Sequence, residues 1–211
     1  MGKIKQGILG GFSGKVGPVV GSSWKGKAVM KAAPLSYNDR NSLAQQQQRL
    51  KFTIVNKFVA KALGFISEGF RKRAVGITAP NAAVAANLDD AITGTWPDYQ
   101  LDYSKTLVSN GPVDLPYSPS ASNDNTTLSL TWADNSGMGN ALADDKVMIL
   151  AYNGTKQQAV YNTTLAERSE RNASFTLPTA WTGDTVEIWI AMQRQKDNET
   201  SPSSHIATIT L

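Results

Sequence analysis

The residue types able to do chemistry are few in this chain, and they are poorly grouped. Residues 10–17 (GGFSGKVG) bring Gly14 and Lys15 together as a phosphate-cradling loop would. Such a loop needs a glycine, four residues, then Gly-Lys and a hydroxyl for magnesium. Here Leu9 occupies the first position and Val16 follows the lysine, so both the turn and the metal ligand are missing. The chain has one histidine, His205, and no cysteine. Without a second imidazole or a thiol, the usual metal and nucleophile arrangements cannot be assembled. His205 reads as a half-exposed strand residue. Of the paired acids, Asp89-Asp90 would diverge on a helix, and Asp144-Asp145 precede a strand where acids make turns. Neither pair belongs to a calcium loop with fixed ligand spacing. The expectation is a protein that is not an enzyme, with no catalytic residue, no cofactor and no metal.

Charge is the stronger signal. Residues 1–75 carry 14 Lys and Arg against two acids, Asp39 and Glu68, whereas residues 76–211 carry 7 against 15. A net of +12 in front of a net of −8 points to an acidic partner for the front part. Arg49, Lys51, Lys57, Lys61, Arg71, Lys72 and Arg73 form the candidate basic face. That face has few aromatics for base stacking, so charge-driven nucleic-acid contact is expected ahead of base-specific binding. Five Asn-x-Ser/Thr triplets, at Asn125, Asn153, Asn162, Asn172 and Asn198, read as Asn/Thr-rich loops. Trp132 and Trp189 are expected in a β core, and exposed tryptophans would be the route to a sugar ligand.

Three zones must position these residues, in an α+β chain. Residues 1–35 are a glycine-rich extended arm, with eight of the 17 glycines in the first 26 positions. Glycine this dense opposes a helix. Val19–Trp24 and Lys27–Ala32 should pair as a hairpin across Lys25-Gly26. The arm's apolar residues, Ile4, Ile8, Leu9, Phe12, Val16, Val19, Val20 and Trp24, have little of their own to bury against. Residues 36–104 are basic and helical. A stripe of Leu43, Leu50, Ile54, Phe58, Ala62 and Phe65, widened by Val55, Val59, Leu63 and Ile66, predicts one helix from an Asn41 or Ser42 cap to about Arg73. Gly64 and Gly69 are its weak points. A second helix starts at Thr78 with Pro80 in its first turn and stops at Gly94. Residues 105–211 read as an all-β sandwich of immunoglobulin or fibronectin type III kind. Its strands fall at 105–109, 126–132, 146–152, 158–163, 173–177, 184–193 and 205–211. Residues 111–125, rich in Pro, Ser and Asn, read as a linker or strand-switching loop.

No segment reads as membrane-inserting. The stretch after Lys3 and Lys5 lacks the unbroken apolar run and cleavage site of a secretory leader. Cytoplasmic synthesis is expected, with the final location open to a virion or an extracellular assembly.

The segments MGKIKQGILGGFSGKVGPVVGSSWKGK, LAQQQQRLKF, NAAVAANLDDAITGTWPDYQLDYSKTLVSNG and LSLTWADNSGMGNALADDKVMILAYN together resemble a family of uncharacterised proteins from Bacteroidota bacteria, classed as a domain of unknown function. The resemblance covers nearly the whole chain, is most specific in the glycine arm, and implies no activity, cofactor or site. NSLAQQQQRLKF is also similar to a short segment of phage and mobile-element structural proteins, Asn-Pro-x-Thr-x-x-Gln-x-x-x-Arg-x-x-Phe. Asn41, Gln45, Arg49 and Phe52 supply its residue types, while Ser42 and Ala44 stand in place of its Pro and Thr. The function expected is that of a structural subunit in a homo-oligomer or polymer, such as a virion, tail or filament component. It would assemble through its arm and through opposite-charge contacts. A nucleic-acid-associated basic protein and a surface module for glycans or proteins are the alternatives.

Overall fold

The computed structural model describes residues 2–4, 10–24, 26–34, 36 and 39–211. The chain divides into two compact units, Met1–Ser42 and Leu43–Leu211.

The first unit is an antiparallel sheet in sequence order: β1 (Lys3–Ile4), β2 (Phe12–Val16), β3 (Val19–Trp24) and β4 (Lys27–Ala32). The predicted hairpin is present in the predicted register, from Val19 opposite Ala32 to Trp24 opposite Lys27. Gly26 has φ 79°, the left-handed conformation that a tight reversal needs and that only glycine adopts without strain.

The second unit opens with helices α1 (Leu43–Lys61), α2 (Leu63–Gly69) and α3 (Ala79–Asn87). The helix break falls at Ala62 rather than at a glycine. Val55, Phe58, Val59, Ala62, Phe65 and Ile66 are buried as the stripe requires, but Leu43 and Leu63 are exposed. Thr78 caps α3, its hydroxyl accepting from the Asn81 backbone N–H, with proline in the first turn. α3 stops at Asn87, short of Gly94, and a two-strand ladder of β5 (Ile92–Thr93) and β6 (Gln100–Leu101) follows.

Seven longer strands complete the unit: β7 (Tyr117–Asp124), β8 (Thr127–Ala133), β9 (Lys146–Asn153), β10 (Gln158–Asn162), β11 (Asn172–Thr176), β12 (Thr185–Gln193) and β13 (Ser204–Thr210). They form two antiparallel sheets, β11-β8-β7 and β10-β9-β12-β13. The chain is therefore mixed α+β with a large β content. One expected strand is misplaced. Residues 105–109 are irregular, and the seventh strand is β7, within the stretch read as a linker. The carboxamide of Asn87 takes the role that a neighbouring strand would have taken for 105–109. Its Nδ2 donates to the Leu107 carbonyl at 2.8 Å, and its Oδ1 accepts the Leu107 N–H at 2.7 Å. β7 tolerates Pro119 because it is a sheet-edge strand with an irregular register between Tyr117 and Ser120.

Strand alternation gives the four-stranded sheet two apolar faces. Val147, Ile149, Ala151, Val186, Ile188 and Ile190 share one core with Leu128, Leu130 and Trp132 of the three-stranded sheet. Met148, Leu150, Tyr152, Trp189 and Ala191 share another with Phe58, Phe65 and Ile66 of the helices. Residues 43–104 and 105–211 thus have a core in common. Trp132 lies between the sheets as expected, whereas Trp189 faces the helices, its indole N–H donating to the Thr106 carbonyl at 3.0 Å.

Arg168 and Asp145, both 0% exposed, tie together the loops of the seven-stranded part of the second unit, the β unit. The guanidinium donates to Asp145 Oδ2 at 2.9 Å, to Asn135 Oδ1 at 2.6 Å, and to the carbonyls of Asp114 and Leu142 at 2.7 and 3.1 Å. No helix among the described residues is long and apolar enough to cross a membrane.

Candidate functional site

The arm residues separate by strand parity. Residues opposite one another in an antiparallel pair share a face. Lys15 opposes Val20, which opposes Lys31; Ser22 opposes Val29; Trp24 opposes Lys27. Lys15, Lys31 and Lys27 therefore occupy one face with Val20, Val29 and Trp24. Val16, Val19, Gly21, Ala28, Met30 and Ala32 occupy the other. That second face is partly covered by the unit's own chain. A methyl group added at Gly21 would overlap the Phe12 carbonyl oxygen and stand 2.6 Å from its ring, and one at Gly11 would overlap Ala28. Glycine here allows close approach of backbone to both backbone and side chain. Val16 and Met30 nevertheless remain 53% and 72% exposed, and all six residues of β4 are exposed along an outer edge paired with no described strand. Phe12, Val19 and Val20 are half-buried, and Trp24 is exposed. Ile4 lies in β1; Ile8 and Leu9 fall outside the described residues.

The basic residues do not form one continuous face. Arg49, Lys57 and Lys61 are exposed on α1, but Lys51 is half-buried and holds its ammonium 5.0 Å from the centroid of the Tyr99 ring. Arg71 is engaged by Glu68 one turn earlier. Lys72 and Arg73 are exposed in a 3-10 turn. Helical periodicity explains the outlier: Lys51 lies one turn before the buried Val55 and so on the inward stripe.

His205 is a satisfied strand residue, its Nε2 2.6 Å from Glu187 Oε2 and its ring 5.3 Å from that of Trp189. Thr208 donates to the same Glu187 oxygen at 2.6 Å. No group of three or more His, Cys, Asp or Glu among the described residues could hold a metal. The exposed-tryptophan route to a sugar site does not survive on the β unit, because Trp132, Trp181 and Trp189 are all buried there.

Sequence reasoning missed a cleft of about 350 Å³ between α1, β6 and the turn joining β9 to β10. Lys57, Phe58, Gln100, Tyr103, Tyr152 and Gln157 line it. Phe58 meets Tyr152 edge-on at 5.0 Å between ring centroids, and Tyr103 lies 5.8 Å from Tyr152. Burial pushes the Tyr152 phenol up to about 12, and burial followed by the Glu187 charge raises that of Tyr103. Both phenols stay protonated at neutral pH. The lining comes from three separated segments with no common motif, so no sequence signal could have found it.

The chain belongs to a family of unknown function, DUF6266, whose model matches residues 11–207. No curated protein matches it.

Proposed function

We propose that this member of the family is a non-enzymatic structural subunit that assembles with copies of itself, as a virion, tail or filament component does. The observation that carries this reading is the arm sheet. Its edge strand β4 is exposed at all six residues, Met30 the most of its large apolar ones, and Trp24 of β3 and Val16 of β2 are also more than half exposed. An open edge next to apolar surface is a template for pairing with another chain. Lys27 and Lys31 on β4 weigh against β4 pairing with β4 of a copy, because the like charges would meet. Contact of the arm with the acidic part of the next copy avoids that repulsion. It is a head-to-tail contact, which yields rings or open filaments. The strand orders β11-β8-β7 and β10-β9-β12-β13 support reading these strands as a sandwich of fibronectin type III kind, an architecture common in surface and assembly proteins. Electron micrographs of the purified full chain should show rings, tubes or filaments. Uniformly dispersed single particles at micromolar concentration contradict the proposal.

A second reading is favoured by the row Lys15–Val20–Lys31 with Trp24 and Lys27 beside it. Lysines around an exposed indole suit single-stranded nucleic acid. Affinity for an oligothymidylate should then fall as salt rises, with a log–log slope of roughly −2 for three phosphate contacts. No retention on the chain at low salt rejects it.

A further inference from the structure

We propose that the cleft between α1, β6 and the β9–β10 turn is a binding site for a small ring-bearing carboxylate, either an aromatic acid or a sugar acid. The cleft is in the size range of small-molecule sites. The decisive group is Tyr152. It is only 6% exposed, lines the cleft, and makes no side-chain hydrogen bond to any described residue. Its hydroxyl is open to the cleft rather than sealed in the core, so it is available to donate to a molecule that enters there. Tyr103, beside it, is half-buried and lines the same cleft.

The polarity of the lining selects the ligand. Lys57 is its one charged residue, and no carboxylate lines it. The two phenols are held protonated and therefore donate. Gln100 and Gln157 can donate through their amides. A wall made of donors and one ammonium suits an anionic acceptor. The rings of Phe58, Tyr103 and Tyr152 form an aromatic floor suited to a flat or chair-shaped ring. Gly154 lines the cleft as well, and a carbon added there would stand 3.3 Å from the Tyr103 hydroxyl. Its missing side chain keeps this part of the cleft free.

The test is a titration of the full chain, followed by NMR, with sodium benzoate and sodium glucuronate and with their neutral counterparts benzyl alcohol and glucose. At least one carboxylate should shift the Tyr152 and Gly154 resonances saturably, and the neutral counterpart should bind at least about tenfold more weakly. Which carboxylate binds distinguishes the aromatic from the sugar source. Lys57→Gln should weaken binding about tenfold and Tyr152→Phe about three- to tenfold, while Lys61→Gln leaves it unchanged. Gly154→Val should abolish binding at an unchanged melting temperature. If that variant fails to fold, the near-isosteric Tyr152→Phe still decides. The proposal is overturned if neither carboxylate gives a saturable shift at about 10 mM, if the neutral counterparts bind equally well, or if Tyr152→Phe and Lys57→Gln both bind as the parent does. It stands apart from self-assembly, and its failure leaves that reading untouched.

Discussion

In the arm sheet Met30 and Trp24 are 72% and 64% exposed, while in the β unit Trp132, Trp181 and Trp189 are each 5% exposed or less. The arm places Lys15, Lys27 and Lys31 on one face and covers the other only in part, over glycines. The second unit buries both faces of its central sheet, one against helices and one against the second sheet, and closes its loops on a buried ion pair. Burial of apolar area is the main source of stability. The second unit therefore supplies its own, whereas a thin sheet with exposed apolar residues gains most from a partner. The surface proposed to join copies therefore lies on the region that folding alone does not saturate.

The largest effect that would sharpen this contrast is Arg168→Ala. It leaves Asp145 charged, buried and unpaired and should cost the second unit about 3–5 kcal/mol, read from the midpoint of urea denaturation. A loss below about 1 kcal/mol would mean that the loops are held elsewhere. Gly21→Ala comes next. The new methyl group meets the Phe12 carbonyl oxygen as well as its ring and should destabilise the arm by about 1–3 kcal/mol. Limited proteolysis should accelerate within residues 1–42 while the midpoint of the second unit stays fixed. Coupled loss of both would erase the distinction between them.

Two pH effects, smaller still, belong to the second unit. The Lys156 ammonium and the Asn153 carboxamide hold the Asp184 carboxyl below its ordinary value. A lowered folded-state value stabilises above the unfolded carboxylate pKa, near 3.9, and that stability is lost as pH falls through the folded value. Asp184→Asn should flatten the acid limb of a thermal-melt series below about pH 4. Tyr152 runs the other way. Its raised value, about 12, stabilises fully below the unfolded phenol near 10, and the contribution disappears as pH climbs from there to about 12. Tyr152→Phe should make the alkaline limb of the same series shallower, and an unchanged slope would place the phenol in open water.

What could be read from the sequence followed local chemistry. The Val19–Trp24 and Lys27–Ala32 hairpin, the Thr78 cap with Pro80, and six strands from β8 to β13 carry alternation, turn or cap signals within a few residues of one another. β7 was hidden because its sequence, YSPSASND, has a turn composition, and only its place at a sheet edge lets Pro119 and the positive φ of Ser118 stand in a strand. The irregular course of residues 105–109 depends on Asn87, far away in sequence. Lys51 looked like one more surface cation until the aromatic ring of Tyr99, on another segment, was brought beneath it. The cleft was illegible for the same reason: residues near 57, 100 and 155 meet only in three dimensions.

Whether the arm joins copies of this chain is decided by light scattering of the full chain beside a chain lacking residues 1–42. The full chain should have a mass of at least two copies of 22.7 kDa at micromolar concentration and physiological salt, and the chain without its arm should be a folded monomer. A full chain that scatters as a single 22.7 kDa copy, or an oligomer that survives loss of the arm, contradicts assembly through the arm.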